Sequence, residues 1–446
     1  MNNLFFSKLK IDNRIYKNLK GLIFEFFSRT TVQIFFFPLM FYIWGTEYTG
    51  VWIFLTSISA FAAVTNMDPG EFTRQHMILN YNNKIENQKI YSNSFVITLI
   101  NSLFFFLLVY FVNLIFLDKF TITKDISFKD LNVYIFIIAL GNTLTIISNY
   151  FLIKFEIEGK IFIKVNLINI FFILNRIVPL LAGIYSNNFS NIFYAYICLQ
   201  IIQLITFLYY SARIKIFFKY SDVSIKYLKK IIKNSLRYYL INLKGLLSIG
   251  GLNYIIGIFF NAEILAIYNA MNVMFKWFYV RIIGIVHTIA TYEIAKFSKI
   301  IKKVKSLNKK IDIFSYLFGS ILIIITLLFG ELFFNEWTSY NFEKFENIKV
   351  LIYLITLEAI FYVLCSNELI YLKAVNKIKS IAEINIIFES ISLIIIFISL
   401  LIFQNIMIVI TIQIIKNFIL IVINKHYKNK HLNFTNDQKS KKNKLR

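Results

Sequence analysis

The chain has 446 residues, is 58% hydrophobic and 18% aromatic, and has a mean hydropathy of +0.64. No soluble globular class carries that balance, so the sequence describes a polytopic integral membrane protein. Its formal net charge of +24 would suit a nucleic-acid binder, but the basic residues lie between apolar runs, as in cytosolic loops, and no nucleic-acid partner is expected.

Residues 1–20 form a basic cytosolic tail. The first apolar run is too long for a cleavable signal peptide and lacks a small-residue cleavage site, so it reads as a retained anchor. Apolar runs of bilayer length follow at 21–43, 48–67, 94–117, 131–153, 161–185 and 190–212, which make an N-terminal lobe of six spans over 21–212. A basic linker at 213–234 separates it from a second lobe at 235–424, with runs at 235–260, 264–290, 311–334, 348–371, 381–403 and 405–424. The polar tail 425–446 has too few apolar residues to fold and is expected to be disordered. The fold class is therefore an all-α membrane protein of about twelve transmembrane helices.

Lysines and arginines on one set of alternate loops outnumber those on the other by roughly seven to one, which places both termini in the cytosol. The basic stretches 213–237 and 296–310 read as topology anchors, with anionic lipid headgroups as the competing role. Cys198 and Cys365 lie in predicted helices without CxxC or metal-type spacing and read as packing residues.

Six bases interrupt the apolar runs: Arg29, Arg176, Lys244, Lys276, Arg281 and Lys416. Facing lipid, they would together cost roughly 15 to 20 kcal/mol, so most should face water or a partner. Arg29 has Glu25 four residues before it, an ion pair on one helical face. Arg176 sits beside Asn175 near Pro179, where a kink frees a backbone carbonyl for its side chain. Lys416 reads as a snorkelling base. Among the acids Glu25, Glu358, Glu368, Glu383 and Glu389, the deepest are Glu358 and Glu389. Either can pair a base or bind a coupling H+ or Na+. His287 reads as a packed interfacial histidine.

The two halves repeat. Glu47 in WGTEYTG has a counterpart in Glu263 of FFNAEILA, and Lys160 in EIEGKIFIK has one in Lys377 of KAVNKIKSI, each about 216 residues later. Arg29 and Lys244 stand at nearly the same offset. Six spans per lobe is an even number, so the repeat is parallel, with lobes related by an axis along the membrane normal and a cavity between them.

Gly45, Glu47, Tyr48, Gly50 and Trp52, followed by Asp68, Gly70 and Arg74, resemble the G-x-E-x-(Y/F)-G-x-W and D-x-G-x-x-x-x-R pattern of Wzx-type flippases. These are polysaccharide-repeat exporters of the MOP superfamily, which also contains MATE exporters. Pro69 and Glu71 depart from the small or apolar residues usual there. The resemblance implies a MATE-like fold in the bacterial inner membrane. It further implies movement of an undecaprenyl-diphosphate-linked oligosaccharide from the cytosolic to the outer leaflet for O-antigen or other surface polysaccharide. Polysaccharide polymerase and chain-length proteins are the implied partners, beside the membrane lipids. A cationic cavity would suit such a cargo. The resemblance favours spans 1, 2, 7 and 8 as its walls, hence Arg29, Lys244, Lys276 and Arg281, with Arg176 behind them.

No enzyme signature is present: the chain has no Walker A sequence, HExxH, GxSxG or DxD. The longest expected outer segments, 118–130 and 335–347, are too short for a polysaccharide polymerase. The chain is therefore expected not to be an enzyme and to need neither metal nor organic cofactor. An H+ or Na+ gradient or substrate exchange would drive it. A MATE-like exporter of small cations is the alternative, against which the excess of intramembrane bases argues.

Overall fold

A computed structural model describes residues 13–62, 69–80, 83–116, 128–214, 216–296, 301–338, 347–375 and 379–444. Asp68 and the side chain of Lys244 lie outside the described residues. A chain in hydrocarbon must satisfy its backbone N–H and C=O groups internally, so apolar runs emerge as helices. The order is α1 (Asn13–Ala62), α2 (Pro69–Leu79), α3 (Lys84–Phe116), α4 (Phe128–Phe151), α5 (Ile153–Ile157), α6 (Ile161–Ser186) and α7 (Ser190–Ala212). Next come α8 (Ile225–Leu246), α9 (Leu252–Phe259), α10 (Ala262–Met271), α11 (Phe278–Lys296), α12 (Ile301–Thr338), α13 (Ile348–Ala374), α14 (Lys379–Phe403) and α15 (Ile406–Lys444). No strand occurs among the described residues.

Among those residues, 9 helices are long and apolar enough to cross a membrane. The remaining expected spans take other forms. Spans 1 and 2 are the two arms of α1, broken at Gly45, whose φ of 71° and ψ of 175° belong to glycine alone. The run at 235–260 is interrupted by a π turn at Leu247–Gly251, and the run at 264–290 by one at Asn272–Trp277, so neither is a single regular helix. The last span does not stop at 424. α15 continues to Lys444 where a disordered tail was expected, because its next turns find partners: Lys428 pairs with Glu368, and Leu432 is buried.

The chain divides into two compact units, Met1–Tyr254 and Ile255–Arg446. In the first, Phe72, Met77, Ile90, Tyr91, Ile97, Tyr150, Ile153, Ile157 and Ile231 form a core at one end of the helices. Helices α4 and α7 approach closely at Gly141, where a Cβ would come within 2.5 Å of the Tyr196 ring. That approach lets Thr145 donate to Gln200 at 2.6 Å and Gln203 to Ser148 at 3.2 Å. In the second unit, Tyr279, Ile283, Ala359, Ile360 and Val363 form one core. The outer faces of its helices expose Ile324, Leu328 and Leu332 of α12 and Leu401 to Phe403 of α14, as lipid-facing surfaces do.

Candidate functional site

The turn motif resolves into a folding device. Gly45 reverses the chain, Thr49 Oγ1 donates to its carbonyl at 2.7 Å, and Gly50 is buried. The Trp44 ring lies 5.6 Å from Phe189, and the Tyr48 ring lies 4.7 Å from the same residue. Trp52 packs 5.5 Å from Phe193 and 5.9 Å from Tyr196. The aromatic residues therefore seat the arms of α1 on the first turns of α7, while Glu47 is exposed.

 Trp44 itself, the tryptophan whose ring stands 5.6 Å from Phe189, also reaches Gly183, where a Cβ would come within 2.5 Å of it. Gly70 is buried near the start of α2, and Arg74 on that helix donates to Glu156 Oε2 at 2.8 Å. Lys164 of α6 holds the other oxygen of Glu156, so one buried carboxylate ties α2, α5 and α6 together.

Deeper in the first unit, α1 and α6 bring two arginines to one ring. Asn169 donates to Ser28 at 2.6 Å and sets the register of the two helices. Arg29 pairs with Glu25 at 2.8 Å, as the i to i+4 spacing predicts, and its guanidinium lies 5.0 Å from the Phe172 centroid. Its Nε–H is buried without an acceptor among the described residues. Arg176, one turn beyond Phe172, lies 5.7 Å from the same centroid and 5.0 Å from that of Phe36. It makes no ion pair among the described residues, and it rests on rings rather than on a carbonyl freed near Pro179. The group Glu25, Arg29 and Arg176 therefore keeps one positive charge that no neighbouring carboxylate offsets.

The second unit treats its bases differently. Lys276, in the π turn, donates to Glu358 at 2.6 Å; the two side chains are 9% and 5% exposed. Asn417 donates to the other oxygen of Glu358 at 2.9 Å. Lys416 is buried rather than snorkelling: it binds both oxygens of Glu389, at 2.9 and 2.8 Å, and also Gln413. His287 shares a hydrogen bond of 2.6 Å with Asn367 Oδ1, and Asn367 in turn donates to Asp312 at 3.2 Å. Arg281 is half-buried on α11, and Glu383 is exposed on α14. One of the expected cavity bases, Lys276, thus sits in a closed ion pair, while Arg176, ranked behind the others, stands beside a second cation, Arg29. Glu156 lies far in sequence from Arg74, Glu368 from Lys428 and Glu86 from Lys230, pairings that no local spacing reveals.

No protein-family model and no curated protein matches the chain. Solved structures do match it. An inward-facing multidrug resistance MATE family transporter of the MOP superfamily aligns with a TM-score of 0.66 and 14% identity, over 92% of this chain and 96% of its own. A MATE protein in complex with MaL6 aligns with a TM-score of 0.59 and 14% identity, over 94% and 97%. A MOP superfamily transporter from Pyrococcus furiosus, described as having a binding pocket of reverse polarity that suggests a different function, aligns with a TM-score of 0.56 and 11% identity, over 92% and 96%. The chain is a multi-pass membrane protein with the fold of MATE transporters.

Proposed function

We propose that this protein is a flippase for an anionic, lipid-linked oligosaccharide, of the undecaprenyl-diphosphate type that the Gly45 to Arg74 motif implies. The observation that carries the reading is the Arg29 and Arg176 pair on Phe172, with its uncompensated charge and the unpartnered Nε–H of Arg29. A planar guanidinium offers two parallel donors to a phosphate, and ring faces on the other side hold it without neutralising it. A cation exporter would need a carboxylate in that place. In the Pyrococcus furiosus transporter of the same fold, a binding pocket of reverse polarity is described as suggesting a different function, which supports reading the cargo of this protein from the charge of its site.

The competing reading is a MATE-like exporter of small molecules, favoured by the multidrug transporters among the structural relatives and by the buried acids Glu358 and Glu389. Both acids already hold a lysine, which argues against their also holding a cargo cation.

The test is translocation of a fluorescent polyprenyl-diphosphate oligosaccharide in proteoliposomes, alongside efflux of a cationic dye. A charge-assisted hydrogen bond contributes about 1.5 to 3 kcal/mol, so Arg176→Ala should slow glycolipid movement by roughly 10- to 150-fold, and Arg176→Lys should restore part of it. Dye efflux that survives Arg176→Ala, with no glycolipid movement by the unaltered protein, would establish the exporter instead.

A further inference from the structure

The segment from Phe217 to Leu236 belongs to the first unit and has two distinct faces. Inward, Ile231 and Ser235 of α8 are buried, and Tyr227 and Leu228 pack against the core around Tyr91 and Tyr150. Ahead of the helix, the backbone is fastened to α3. Gln88 donates to the Phe217 carbonyl, Lys219 N–H donates to Ser92 Oγ at 3.0 Å, and Asn93 donates to the Asp222 carbonyl and accepts from Ser224 N–H, both at 2.8 Å. These bonds fix which side chains point away.

The outward face mixes bases with large apolar groups. Ile225 is 71% and Tyr220 84% exposed, and Phe217, Phe218, Ile232 and Leu236 are exposed beside Lys226, Lys229 and Lys233. Lys230 is taken by Glu86 at 3.1 Å, but the other three lysines make no ion pair among the described residues. Ile225, Ile232 and Leu236 recur along one strip of the helix, and Lys226, Lys229 and Lys233 along the adjoining one. α8 then runs directly into the apolar stretch Leu247–Phe259, so this face stands where the chain enters the bilayer.

We propose that this face is a binding surface for anionic phospholipid headgroups. The lysines would meet the phosphates while the isoleucines, leucine and phenylalanines enter the upper acyl region. An acidic soluble protein would account for the lysines but would leave the interleaved aliphatic and aromatic groups in water. A role in topology alone would need the charges and not the apolar strip.

The full-length protein in nanodiscs of phosphatidylcholine with and without phosphatidylglycerol provides the test. Mass spectrometry after extraction should find phosphatidylglycerol enriched around the unaltered protein. K226Q/K229Q/K233Q should reduce that enrichment by roughly tenfold or more, whereas K226R/K229R/K233R should keep it, which separates charge from damage to the fold. A spin label at Ile232→Cys, with Cys198 and Cys365 replaced by Ser, should collide with oxygen more than with a water-soluble nickel reagent. Unchanged enrichment in the Gln variant, displacement of the lipid by millimolar inorganic phosphate, or a label open to the nickel reagent would each overturn the proposal.

Discussion

Lys276→Met should be among the most damaging single substitutions in the second unit. The mutation leaves Glu358, 5% exposed, with Asn417 as its remaining hydrogen-bond donor. Breaking a buried pair by removing one partner costs about 3 to 5 kcal/mol, because the surviving charge is left in a low dielectric. By contrast, Arg29 and Glu25 are 30% and 25% exposed, and an i to i+4 pair of that kind contributes about 0.3 to 0.5 kcal/mol. Removing Glu25 should therefore be mild. The double variant Lys276→Met with Glu358→Met replaces the pair by apolar groups of similar volume, which is often neutral or stabilising, so it should recover most of the loss. Denaturant unfolding in mixed micelles across the double-mutant cycle measures the coupling. A single Lys276→Met variant as stable as the parent would refute the reasoning, and so would a double variant no better than the single. If the double variant is stable but transport is lost, the pair serves coupling as well as folding.

Two further outcomes follow from geometry. His76 is held below its ordinary value of 6.5 by burial first and by Lys230 second, with Glu86 opposing. The unfolded state therefore binds more protons, and the stabilisation is present above about pH 6.5 and is lost as pH falls through the lower folded value. His76→Gln should flatten that acid-side slope in a pH series of unfolding curves; an unchanged slope would remove His76 as its source. Gly45→Ala should cost about 1 to 3 kcal/mol through backbone strain alone, since nothing lies within 4 Å of the added Cβ. Gly245→Ala, equally open but helical, should gain about 0.5 to 1 kcal/mol. Thermal unfolding that ranks the two in the opposite order would show that the turn tolerates another conformation.

The helical fold was legible because hydrocarbon leaves a chain few alternatives: apolar length and loop charge are local properties, read one segment at a time. The same reading found the break at Gly45 and the pairing of Glu25 with Arg29, both set by neighbours in sequence. The glycine pair Gly250 and Gly251 is a helix breaker visible in the sequence where the turn Leu247–Gly251 falls, but nothing marks the π turn at Asn272–Trp277, because a single extra residue in a helical turn leaves hydrophobicity unchanged. That reading also gave no sign of the rings that hold Arg176. Phe36 lies on α1 and Arg176 on α6, and spacing within one segment shows neither that contact nor the lack of a carboxylate beside Arg176 among the described residues.

The α15 helix shows where a closer reading had more to take. Gln413, Lys416, Asn417, Asn424 and Lys428 recur at helical spacing inside an apolar run, and each is buried. Taken singly, Lys416 looks like a base that bends to the interface. Taken as a stripe, five polar groups on one face demand a polar counterpart, because a lipid-facing stripe would cost several kcal/mol per group. The counterparts are on α13 and α14. Glu358, Cys365 and Glu368 of α13 meet Asn417, Asn424 and Lys428 in order along the helix, while Glu389 of α14 meets Lys416. Such a ladder admits one register: sliding α15 by a turn would separate every charge from its partner at once. Glu358, Glu368 and Glu389 are thus better explained as the specification of helix register than as a set of independent ion sites.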